Sequence, residues 1–250
     1  MGKTKVNRDE AASELRAVID PADDKGFKNR LIDEIQWKML KSALKKSNHL
    51  LDFGCGNGRF AQRLARMGID YTGIDISANM IKTAIERNPQ TGLKFVHYDG
   101  LAMPFPDKNF DTCISCGVYQ YVIYSENNQR ALAEIQRCLV PGGRFVLIEQ
   151  ASLSNQSSGT VARPSTETDY VTELAKYFHV KSVNRIRMCE LSTLSGKSFE
   201  VFSRIPTLFG FVLGYLADSE IHRAQKAGID SYSKLQYYEI LIEAERPTDR

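Results

Sequence analysis

Apolar and polar residues alternate along this chain in two recurring patterns. From Asn29 to Lys46 the run NRLIDEIQWKMLKSALKK sets Leu31, Ile35, Met39 and Leu40 near the helical repeat with charges between them, which predicts an amphipathic helix. His49 to Phe53 is almost continuously apolar and predicts a central parallel strand covered on both faces. Glycines follow at once, and RFAQRLARMG predicts a short helix ended by Gly68. YTGIDIS then reads as a strand, ANMIKTAIERN as a helix stopped before Pro89, and LKFVHYD and FDTCISCG as strands. NNQRALAEIQRCL reads as a helix, and GRFVLIEQ as a strand after a Pro141-Gly142-Gly143 turn. Such alternation predicts an α/β fold: a doubly wound, mostly parallel sheet with right-handed crossovers.

Beyond Gln150 the rhythm loosens. SLSNQSSGTVARPST has loop composition, ETDYVTELAKYF a helical pattern and HVKSVNRIRM a strand pattern, and KLQYYEILIEAERP reads as a last strand. The mixed segment of about 189–233, with the aromatic cluster FSRIPTLFGFVLGY, is long for a connection and predicts a helical cap inserted before that strand. The expected organisation is one domain over 1–250: a helical lid over 1–46, a ligand-binding core over 47–150, and the remaining half of the sheet with its cap over 151–250.

Composition narrows the partners. At 250 residues, 42% hydrophobic and 25% charged, the chain is of ordinary globular make-up. Its net charge of +3 is evenly spread, and the basic stretches KMLKSALKK and NRIRM are dispersed, which argues against nucleic acid as the partner. No run approaches the length of a membrane span, and the N-terminus lacks the apolar core of a secretion signal, so a cytoplasmic protein, monomeric or homodimeric, is expected. Five cysteines lie mostly inside apolar runs, as reduced side chains do. Cys113 and Cys116 form a CxxC, but no second CxxC follows, and His49, His97, His179 and His222 have no ligand spacing, so no metal is expected.

The candidate chemistry centres on LLDFGCGNGRF. In open α/β sheets ligands bind beyond the carboxyl ends of the strands, and glycine lets a ligand approach the backbone. A nicotinamide fingerprint, G-x-G-x-x-G, would need a third glycine where Arg59 stands; the spacing is D-x-G-x-G-x-G. LDFGCGNG resembles motif I of the class I S-adenosylmethionine (SAM)-dependent methyltransferases. YTGIDIS, HYDGLAMPFPD, FDTCISCGVYQYV and LVPGGRFVLIEQ resemble that family's later stretches in order, so the resemblance spans about 50–150. It implies a Rossmann-like methyltransferase fold with a seven-stranded sheet, SAM as cofactor and S-adenosylhomocysteine as product.

The resemblance also implies roles. Gly54, Cys55, Gly56 and Gly58 form the turn beside the methionine portion, and Asp52 orders that turn. Asp75 receives the ribose hydroxyls, as an ionised carboxylate can. Ile76 and Met80 flank the adenine, Asp99 accepts from its exocyclic amine, and the backbone near Gly100 and Leu101 holds a ring nitrogen. The Cys116 carbonyl faces the methionine amino group. Each has a plainer competitor: Asp75 or Ser77 can cap the helix beginning near Ala78, Ile76 and Met80 can be core, and Asp111 reads as structural.

For the acceptor, Tyr119, Gln120, Tyr121 and Glu149 are the expected neighbours, without an assigned base, and the tyrosines are read equally well as packing residues. Phe27, Arg30 and Trp37 of the N-terminal helix, with the cap, are the expected walls. The leading reading is transfer of a methyl group to an N, O or C atom of a small organic acceptor, in the manner of quinone-pathway enzymes. Its alternatives are a tRNA or other macromolecular methyltransferase, a nicotinamide oxidoreductase, and a methyltransferase-like binding subunit without activity.

Overall fold

Alternate residues of the central strands face two separate cores. Leu51, Phe53, Cys113, Phe145, Leu147, Ile240 and Ile242 pack into one, while Leu50, Ile114, Val146, Ile148 and Leu241 pack into the other. A strand with neighbours on both faces has no side for polar residues, which is why these segments read as unbroken apolar runs. The computed structural model describes residues 19, 23, 26–90, 92–123, 125, 127–153, 165–188, 206–228, 231 and 237–248, apart from the side chains of 27 and 206–209.

In chain order the elements are α1 (Phe27–Ala43), β1 (His49–Phe53), α2 (Ala61–Ala65), β2 (Asp70–Asp75), α3 (Ala78–Arg87), β3 (Lys94–His97) and β4 (Phe110–Cys116). There follow α4 (Tyr119–Val122), α5 (Asn128–Cys138), β5 (Leu139–Ser152), β6 (Ser165–Thr166), α6 (Glu167–Leu174), β7 (His179–Arg187), α7 (Pro206–Lys226) and β8 (Tyr238–Glu245). The sheet runs β3-β2-β1-β4-β5-β8-β7, with β8 antiparallel to both β5 and β7 and the rest of that path parallel. The two-residue β6 adds a parallel bridge to β5 at Ala151 and Ser152, an eighth strand beyond the seven expected. It is too short to carry a pattern in the sequence.

β1 lies between β2 and β4, so chain order reverses there and a crevice opens at the carboxyl ends of β1 and β4. On one face α1 buries Leu31, Ile35 and Leu40, with Leu44 just beyond, in the core that also holds Leu50, Phe60 and Ala217 of α7. β5 begins at Leu139, ahead of the turn expected to precede it. Arg246 explains this: its N–H donates to the Gly143 carbonyl at 2.8 Å and its carbonyl accepts from Gly142 at 3.1 Å, which carries the turn within the sheet.

α7 lies in the segment expected to form the cap, and it packs against α1 and β7. The rest of that segment, 189–205 and most of 229–233, lies outside the described residues, as does the Phe27 side chain.

Candidate functional site

The glycine turn sits at the carboxyl end of β1. Gly54, Gly56 and Gly58 all adopt positive φ, at 76°, 53° and 72°. The N–H groups of Gly54 and Cys55 both donate to the Ile74 carbonyl, at 2.8 and 3.0 Å, tying the turn to β2. Gly54 has a second reason to be glycine: an added Cβ would lie 2.4 Å from a methyl of Val118, in the loop after β4. Val118 thus closes the crevice against the turn. The sequence did not single it out, since one valine after a strand carries no signal.

Asp75 ends β2 with both oxygens engaged by backbone. One accepts the Gly56 N–H at 2.9 Å and the other the Ser77 N–H at 2.8 Å. The carboxylate therefore fastens the glycine turn to the start of α3, and it keeps lone pairs for a ligand because a carboxylate can accept about four hydrogen bonds. Ser77, not Asp75, caps α3: its hydroxyl accepts the Met80 N–H at 3.3 Å.

Beside Asp75 two apolar side chains face solvent, Ile76 at 65% and Leu101 at 45% exposure. A Cβ added to Gly100, at φ 81°, would lie 3.5 Å from the Ile76 Cγ2, so the two loops come close together. Asp99 is exposed and turns its oxygen onto the Leu101 N–H at 2.9 Å. Met80 is half-buried.

Asp52 is buried beneath the turn and accepts from the Tyr71 hydroxyl at 2.8 Å. Burial pushes its carboxyl up to about 6, against the lowering effects of that hydroxyl and of Arg59. The Tyr71 hydroxyl and the Cys55 thiol also lie where a Cβ on Gly73 would fall, each 2.8 Å from it, so β2 needs a glycine at that point.

The residues expected near the acceptor divide. Tyr119 is buried, and its hydroxyl donates to Asn128 at 2.6 Å, so it supports the loop. Glu149 is buried too. Its carboxylate accepts the N–H groups of Val118, Tyr119 and Gln120 at 3.1, 2.8 and 3.3 Å, which fixes the chain as it enters α4. Burial raises this carboxyl to about 7, outweighing those three bonds. Gln120 is buried with its amide on the Gly117 carbonyl at 3.4 Å, while Tyr121 is 62% exposed.

Trp37 stacks on Phe60 with centroids 6.3 Å apart and lies under the Arg63 guanidinium, and Arg30 is half-buried on the same helix. Cys113 and Cys116 are free thiols pointing into opposite cores, as residues three apart in a strand must, so they cannot share a ligand. Burial pushes the Cys116 thiol up to about 12 even with Arg59 beside it. Asp111 accepts the N–H groups of Asn48 and His49, both at 2.9 Å, and is structural at the strand entrance.

Arg59, which displaced the nicotinamide fingerprint, joins a network that sequence reading missed. Its guanidinium donates to Asp33 and Gln36 of α1, at 2.8 and 2.7 Å, and to the Cys116 sulfur at 3.0 Å. Gln36 continues to Glu239 at 3.0 Å, and Glu239 accepts from the buried Arg187 at 2.8 Å. The arginines of the basic stretch NRIRM thus pair within the fold, Arg185 with Glu167 at 2.7 Å and Arg187 with Glu239.

The sheet order, the glycine turn and the acid at the end of β2 define a Rossmann-like α/β fold of the kind seen in methyltransferases. Residues 51–147 match the family described as a methyltransferase domain. The chain is 35% identical over 130 residues to a 2-phytyl-1,4-naphtoquinone methyltransferase of Nostoc punctiforme, covering 48% of this chain and 55% of that protein. It is 33% identical over 132 residues to a demethylmenaquinone methyltransferase of Thermus thermophilus, covering 48% and 58%. The matches span little more than half the length of these curated relatives. A SAM dependent methyltransferase from Aquifex aeolicus shares the fold, with a TM-score of 0.59 at 15% identity over 94% of this chain and 98% of that one. Over residues 51–147 the chain is thus similar to the methyltransferase domain of class I SAM-dependent enzymes.

Proposed function

We propose that this protein moves a methyl group from SAM to an N, O or C atom of a small organic acceptor. The observation that carries the reading is Asp75, held by two backbone N–H groups at the junction of the glycine turn with two solvent-facing apolar side chains. A nucleoside needs that combination: a fixed carboxylate for vicinal hydroxyls and apolar walls for a flat base. The glycines add an approach to backbone free of Cβ atoms, suited to the amino-acid end of SAM.

When bound, SAM supplies an electrophilic methyl group on a sulfonium. The chain's own residues then bind and orient. Asp75 takes the ribose hydroxyls, and Ile76 with Leu101 covers the adenine, which Asp99 and the backbone at Gly100 and Leu101 hold by its edge. Asp52 stiffens the turn through Tyr71, and Glu149 holds the loop after β4 that carries Val118, Gln120 and Tyr121 to the acceptor side. Catalysis rests on an aligned, water-poor approach of the acceptor, and Glu149 serves as a positioning residue because all its visible bonds go to backbone. The quinone methyltransferases among the relatives favour a flat organic acceptor.

Calorimetric titration with SAM and, separately, NADH tests the class. Micromolar SAM binding without NADH binding is the expected result; NADH binding without SAM would overturn it. Asp75→Ala is expected to weaken SAM by about tenfold or more, the worth of one or two charge-assisted bonds. Unchanged affinity in a folded variant would remove the ribose assignment.

A further inference from the structure

An open cleft of about 360 Å³ lies on the outer side of α2, against the end of α3. It is lined by Gly58, Arg59, Gln62, Arg63, Arg66, Arg87 and Asn88. Every lining residue is polar or glycine, and four are arginines. Arg59, Arg63 and Arg66 are spaced by four and three residues, which places them along one side of α2 and its flanking turns. Sequence reading took this stretch only as a short helix, and counted the basic charge as dispersed. The fold brings Arg87, from the end of α3, to the same cleft.

The cleft is a built site. Gln62 donates to the Arg87 carbonyl at 3.2 Å and Asn88 to that of Ala84 at 2.8 Å, so two carbonyls at the end of α3, which would repel an anion, are occupied. Gly58 forms a wall: an added Cβ there would lie 2.8 Å from both the Asn88 amide and the Phe95 ring. Asp33 orients the inner arginines, accepting from Arg59 at 2.8 Å and from Arg63 at 2.7 Å. Glu34 also lies within electrostatic reach of Arg63. Asp52 lies within electrostatic reach of Arg59 as well, so the carboxylates near the cleft gather on the side of its inner arginines. Arg66 is exposed and, among the described residues, makes no side-chain hydrogen bond or ion pair.

We propose that this cleft binds a small anion bearing phosphate, with a pyrophosphate or two neighbouring phosphates the best match. Planar guanidinium groups pair with phosphate oxygens two at a time, and several of them around one concave site select for concentrated negative charge. The volume is at the lower end of small-molecule sites, and no lining surface suits an apolar ligand. Gly58 belongs to the glycine turn as well, but none of Asp75, Ile76 and Leu101 lines the cleft, and anion binding by its arginines can be measured without SAM.

Calorimetric titration of the full chain at low ionic strength, with pyrophosphate, orthophosphate and sulfate as probes, tests it. Pyrophosphate is expected to bind most tightly, and Arg66→Glu to weaken it by about tenfold or more while leaving the unfolding midpoint unchanged. Arg87→Gln provides an independent loss from the α3 side. Equal binding by wild type and Arg66→Glu, or sulfate binding as well as pyrophosphate, would overturn the site. A single-stranded RNA oligonucleotide that binds more tightly than pyrophosphate and competes with it would overturn the small-anion assignment in favour of a polynucleotide.

Discussion

Two acids lie inside this molecule with carboxyls held above their ordinary values, Glu149 at about 7 and Asp52 at about 6, in each case chiefly because burial penalises the charge. Between about pH 4 and 7 the folded protein therefore holds more protons than the unfolded chain. These two groups make stability fall as pH rises through that window and level off above it. Denaturant unfolding at about pH 5 and pH 8 is expected to show the fall, and Glu149→Gln and Asp52→Asn each to flatten it. Glu134 acts with the opposite sign at lower pH: its bond to Arg137 holds its carboxyl down, so protonating it costs stability. Glu149→Gln also sets an amide N–H₂ against backbone donors in the loop. A loss of about 1–3 kcal/mol is expected at pH 8, measured by the same unfolding.

Between elements, the decisive contacts are the ones that lock the glycine turn to its neighbours. Gly54→Ala faces two penalties: a positive φ of 76° and a Cβ 2.4 Å from Val118. The backbone part is worth about 1–2 kcal/mol, and the collision adds to it. Pairing it with Val118→Ala is expected to relieve the contacts with the two methyls at 2.4 and 2.6 Å, while the Cβ–Cβ approach of 2.9 Å and the backbone cost remain, so the double variant should unfold at a higher temperature than Gly54→Ala alone. The second lock is the buried chain Arg187–Glu239–Gln36–Arg59, which ties β7, β8 and α1 to the residue after the turn. Glu239→Ala leaves Arg187 charged and without this carboxylate, and is expected to cost about 3–5 kcal/mol in chemical unfolding, whereas a paired apolar replacement of both should cost much less.

At the scale of the whole molecule, the sheet order puts the glycine turn, Asp75 and the loop after β4 at one edge, because strand order reverses at β1. The same winding places α2 and α3 side by side and gathers the arginines there. One molecule thus has a carboxylate-centred site at the strand ends and a cationic cleft on its helical face. Their opposite charge makes an ionic-strength series informative. Pyrophosphate affinity is expected to fall steeply with added salt, while SAM, with little net charge, responds weakly in the same calorimetric titration.

The local period of the chain determined most of the architecture: buried parallel strands demand unbroken apolar runs, crossover helices demand a 3.6-residue repeat, and positive φ demands glycine. That is why most of the strands and the turn at Gly54–Gly58 were legible, whereas the two-residue β6 carried no pattern and Asp75 stood out through the family resemblance. What only the tertiary structure decided depends on partners distant in sequence. Glu149 became a loop anchor because β5 lies beside β4, and Arg187 became an interior residue because β8 brings Glu239 to it. Arg66 and Arg87 share a cleft because the fold brings the end of α3 beside α2, where Gln62 bonds the Arg87 carbonyl. A side chain's charge is written in the sequence, but whether that charge faces water, an ion-pair partner or a ligand is settled only when the fold closes around it.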